Sequence, residues 1–149
     1  MSNIYLYLLL ALVAGAMMPT QAAINNKLAV VVDSPILAAF ISFFVGTVGL
    51  FVYVVASGTP LGNLFSAKEA PPFLWVGGLL GAFFVTATVV LVPRLGVAMT
   101  FSVIIAGQML ITLVIDHFGL LGVPVKEISI VRVAGILLIT AGVVLIRKF

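Results

Sequence analysis

Apolar positions along this chain gather into five long runs, at about 4–25, 35–57, 73–93, 97–116 and 128–146, with the polar residues collected between them. Each run reaches the roughly 20 residues that a helix needs to cross a hydrocarbon core about 30 Å thick. A membrane β-barrel would need short alternating segments with a polar inner face. Leu8-Leu9-Leu10-Ala11-Leu12-Val13 and Ile136-Leu137-Leu138-Ile139 do not alternate. Lipid offers no partner to an open backbone N–H or C=O, so helix is the spanning structure that remains. The expected fold is all-α and integral to the membrane: five transmembrane helices in one domain covering residues 1–149.

Composition agrees and narrows the class. With 64% hydrophobic and 7% charged residues, and a mean hydropathy of +1.41, the chain cannot stay dispersed in water. Ala14-Gly15-Ala16 after an apolar run has the look of a signal-peptide cleavage site. No Lys or Arg precedes that run, however, and the helical pattern continues past it, so the first run is expected to stay as a helix. The absence of cysteine excludes disulfides and thiolate metal sites. Asp33-Ser34-Pro35 reads as a helix start, with Ser34 able to cap and Pro35 suited to the first turn.

Charge bears on orientation. Five crossings place the termini on opposite faces, so Lys68, Lys126 and Arg132 fall on the face of the N-terminus, and Lys27, Arg94, Arg147 and Lys148 on the other. Orientation follows an excess of Lys and Arg in cytoplasmic connectors, and three against four is almost no excess. Such balance favours insertion both ways, although one extra basic residue, or another feature, could still decide. Two copies in opposite orientation form ten helices about an axis in the membrane plane. That is the inverted-repeat arrangement on which many secondary transporters run alternating access. An antiparallel homodimer is therefore the expected assembly.

The polar residues inside the runs are the candidate cavity. Gln21 and Asn25 stand at i and i+4 and share a face, with Asn26 on its flank at the expected helix end. Pro19 deprives the Gly15 carbonyl of its donor. In the fourth run Gln108 and Thr112 lie one turn apart, Gln108 near mid-span, where an unpaired amide is costly. Ser42 in the second run supports them. The alternative reading makes these residues interhelical glue that touches no solute. Small residues at four-residue spacing, as in Ala38/Ser42/Gly46, point to close helix packing.

No run carries an Asp or Glu in its middle, so proton coupling through a deep carboxylate has no carrier. Asp116 and His117 close the fourth run, and Asp116 could pair with His117, with Arg94, or with Lys126. Asp116, His117 and Arg94 are thus the candidates for gating or coupling, with helix capping as the plainer role. No P-loop, metal-binding spacing or nucleophile–base pattern is present, so neither an enzyme nor an ATP-driven pump is expected, and no metal or cofactor.

Gln21-Ala22-Ala23-Ile24-Asn25-Asn26, then Ser34-Pro35, Ser42-Phe43, Gly46-Thr47, Pro93-Arg94-Leu95-Gly96, Ala106-Gly107-Gln108 and Asp116-His117-Phe118-Gly119-Leu120 occur in an order that resembles the YdcZ-type family of the drug/metabolite transporter superfamily. The resemblance spans essentially the whole chain. It implies a five-helix protein of the bacterial inner membrane, found as single dual-topology chains, as paired genes or as fusions, and regarded as an exporter of largely unassigned substrates. The small multidrug-resistance transporters are more distant, and the membrane-embedded glutamate of their first helix has no counterpart here.

The expected function is secondary transport, in the export direction, of a small polar or weakly charged solute. Gln21, Asn25, Asn26, Gln108, Ser42 and Thr112 would line the path. A passive dual-topology channel and a non-transporting membrane subunit are the alternatives. The expected partners are a second copy or an oppositely oriented homologous chain, the lipid bilayer and the solute, and no nucleic acid.

Overall fold

The computed structural model describes residues 4–148, and among them the chain is helical with no strand. Five helices are long and apolar enough to span a bilayer: α1 Ile4–Val31, α2 Pro35–Ala56, α3 Val76–Leu95, α4 Val97–Phe118 and α5 Ile130–Lys148. The connector after α2 contains two 3₁₀ segments, Leu61–Glu69 and Pro72–Trp75, the second of which runs directly into α3. Most large apolar side chains face outward, as expected where lipid is the solvent; Phe83 and Val131 are 75% and 81% exposed.

Helix ends follow local chemistry where a cap decides them. Ser34, extended at φ −162°, accepts the Leu37 amide at 3.2 Å, and Pro35 fills the first helical position of α2. Just before it, Asp33 adopts φ +51° and terminates α1, while the Ser34 amide reaches back to the Ala29 carbonyl at 3.1 Å. Gly119, at φ +57°, closes α4 in the same left-handed way.

α1 departs most from expectation. It continues six residues past Asn25, to Val31, so Asn25 and Asn26 are interior helical residues and have no end to cap. Propensity made the two asparagines look like a stop, but contacts from neighbouring helices hold the segment helical. At about 1.5 Å per residue its 28 residues reach roughly 42 Å, longer than the hydrocarbon core, so α1 tilts or projects into the interface. Pro93 likewise does not end α3, which continues to Leu95. α4 runs two residues beyond Asp116, and α5 is shifted to Ile130–Lys148.

The chain forms two compact units, one ending at Pro93 and the other beginning at Arg94. In the first, α1 and α2 pack through small residues: Ala22 and Asn25 of α1 and Ala38 and Ala39 of α2 are buried. α3 contributes buried Val85, Thr88 and Val89, and its Gly81 leaves room for the Phe43 ring of α2. In the second unit α4 and α5 pair, with Thr100 and Ile136 buried.

Candidate functional site in the membrane

Threonine contributes less to the candidate cavity than its polarity suggests. Thr20, Thr47, Thr86, Thr88, Thr100, Thr112 and Thr140 each donate their hydroxyl proton to a carbonyl three or four residues earlier along the chain, at 2.7–2.9 Å. Thr112 gives its proton to the Gln108 carbonyl, and only its oxygen lone pairs remain for a ligand.

Two carboxamides, Gln21 and Gln108, make no side-chain hydrogen bond among the described residues. Gln21 is exposed and, with Ser42, lines a groove of about 190 Å³ whose other walls are Phe43, Gly46, Thr47 and Leu50. Gln108 is exposed at the middle of α4. Neither side chain hydrogen-bonds to any described residue. A bare amide facing hydrocarbon costs about 2 kcal/mol or more, so each must meet a polar partner, water or solute outside its own unit once in the membrane.

Asn26 is held differently. Its Nδ2 donates to the Val89 carbonyl of α3 at 3.1 Å. That carbonyl is available because the residue four positions on is Pro93, which has no amide proton. One proline thus creates an acceptor within the membrane, and an asparagine from another helix fills it. Asn26 also borders a pocket of about 310 Å³ with Asp33, Ser34, Val89 and Pro93. Asn25 is only 3% exposed and its Nδ2 has no partner.

In the second unit Arg132 is the organising residue. Its guanidinium binds the Asp116 carboxylate and donates to the Lys126 carbonyl at 2.9 Å, and the Lys126 amide returns a bond to the Asp116 carbonyl at 2.8 Å. His117 Nδ1 accepts the Ile128 amide at 3.3 Å. Together these ties fasten the end of α4 to the start of α5. Arg132 also borders a cavity of about 230 Å³ between the two helices, with Thr112, Met109, Leu113, Gly135, Ile136 and Ile139. Arg94 lies in the last turn of α3.

The structure therefore brings Gln21 and Ser42 to one groove, Asn26 to a pocket beside Asp33, and Thr112 to the α4–α5 cavity, and it buries Asn25. Arg132, counted from sequence only among the basic residues of one face, is the partner of Asp116. Opposite charges flanking one polar connector were the available signal for that pair.

The sequence matches the family described as "Putative inner membrane exporter, YdcZ" (DMT_YdcZ) over residues 6–145. The chain belongs to the YdcZ family. That description supports a transporter role, and the five apolar helices make this member a membrane protein. The match takes in all three helices of the first unit and both of the second, apart from a few terminal residues. No curated protein and no solved structure matches the chain.

Proposed function

We propose that this YdcZ protein is a secondary transporter of the bacterial inner membrane that exports a small polar or weakly charged solute by alternating access, working as an antiparallel homodimer. The observation that carries this reading is the pair of unpartnered carboxamides, Gln21 and Gln108, each exposed within a membrane-spanning helix. A second, oppositely oriented copy supplies an enclosure in which both can meet water and solute. Amides donate and accept without carrying charge, which suits a neutral or weakly charged solute. Gln21 and Ser42 on their groove, with Asn25, Asn26, Gln108 and Thr112, are the residues assigned to the path. Asp116, His117 and Arg94 near the helix ends serve gating. The chemistry is translocation, with no enzymatic step and no cofactor.

Proteoliposomes loaded with a panel of small amides, polyols and amino acids provide the test. A carrier gives saturable efflux that Gln108→Leu abolishes while the protein stays folded and monodisperse. Efflux that rises linearly with concentration would make the protein a channel. Normal efflux in Gln108→Leu would reduce that residue to packing.

A further inference from the structure

The contact between α1 and α3 contains one acceptor and two adjacent donors. Pro93 removes the amide proton that would have served the Val89 carbonyl, and Asn26 supplies a replacement at 3.1 Å. The neighbouring carboxamide, Asn25, is buried at 3% exposure with its Nδ2 unpaired. A buried donor without an acceptor raises the free energy of the state that contains it. Its persistence beside a proline-exposed carbonyl calls for a reason beyond packing, because a leucine or alanine would fill the position at no such cost.

Helix geometry supplies that reason. Successive residues lie about 100° apart around α1 and about 1.5 Å apart along it. A turn and slide of α1 by one residue would carry Asn25 to the position Asn26 now holds, and the Val89 carbonyl would exchange one amide donor for the other. No backbone bond within either helix has to break, because the acceptor exists through Pro93 and not through unwinding. Asn26, once released, frees its amide into the pocket shared with Asp33 and Ser34.

We propose that Asn25, Asn26 and the Pro93-exposed carbonyl of Val89 form a two-position latch between α1 and α3, with Asn26 engaged in the conformation described here and Asn25 in the other. The latch deepens the carrier reading, since alternating access needs contacts with two arrangements of similar energy. Its test requires no solute, so it can fail or succeed independently of transport.

Only Asn3, Asn25, Asn26 and Asn63 carry asparagine side-chain amides, so full-length protein labelled with ¹⁵N-asparagine gives a sparse spectrum that single substitutions assign. In Asn26→Ala, the Asn25 amide protons should shift to the low-field position that Asn26 occupies in the native protein. In the native protein, relaxation dispersion should show Asn25 and Asn26 exchanging with one common rate. Pro93→Ala returns a backbone donor to Val89 and should release Asn26 from its low-field position with both asparagines intact. Asn25 signals unmoved by Asn26→Ala overturn the latch. Should that variant fail to fold, a Pro93→Ala spectrum identical to the native one overturns it as well.

Discussion

Asp33 and Gly119 do the same work at two helix ends and should respond oppositely to substitution. Asp33 sits at φ +51°, a conformation in which a Cβ is unfavourable, so Asp33→Gly removes that strain at the expense of a more flexible unfolded chain. A net gain of about 0.5 kcal/mol is expected, read as a small rise in the thermal unfolding midpoint. Gly119 has φ +57°, and a Cβ there would approach the Val125 Cγ2 to 2.7 Å and the Val123 carbonyl to 3.3 Å. Gly119→Ala should therefore cost about 1–3 kcal/mol, measured by the same unfolding experiment. Sequence alone made Ser34 legible as a cap because Ser34 and Leu37 settle the matter within three residues. Asn25 and Asn26 are not a helix end, and nothing local in the sequence shows this, because what keeps them helical is tertiary contact such as the Asn26–Val89 bond.

The α4–α5 hairpin depends on a polar tie at its closed end. Arg132 and Asp116 are 31% and 22% exposed, so water screens the pair in part, and Asp116→Asn should cost only about 1 kcal/mol. Arg132→Leu removes the same pair and also strands the Lys126 carbonyl, so about 2 kcal/mol is expected for it. The gap between the two variants, followed by thermal unfolding and by protease cleavage between residues 119 and 129, separates the ion pair from the backbone ties. Equal effects would show that the carbonyl contact contributes nothing. Candidate site residues divide in the same manner. Gln21 and Ser42 fall on one groove because α1 and α2 are antiparallel neighbours joined by a three-residue turn, which the extension of α1 to Val31 leaves between them. The Asn26–Val89 bond was not readable, since it joins residues 63 positions apart and depends on how α3 is rotated.

For the protein as a whole, orientation in the membrane is the property on which the proposed assembly turns. Reporters fused after Phe149 that score both sides of the membrane should give comparable signals, because three basic residues stand against four. Lys68→Gln widens that difference to two against four and should drive most copies into one orientation. If the native chain already reports from one side only, the antiparallel homodimer is excluded, leaving an oppositely oriented homologous chain or a parallel assembly.

Five spanning helices, their approximate limits and the near-balance of charge follow from the sequence, because partition into lipid is a sum over consecutive residues and needs no knowledge of the fold. Caps and turns follow from it too, since their bonds close within a few residues. Which polar groups would be satisfied inside the chain and which would not was decided by tertiary structure. Asn26 finds the carbonyl that Pro93 exposes, Arg132 finds Asp116, and the side chains of Gln21 and Gln108 find no hydrogen-bond partner among the described residues. A hydrogen bond between helices depends on rotation and separation to within about half an ångström, and no pattern along a single chain encodes that directly.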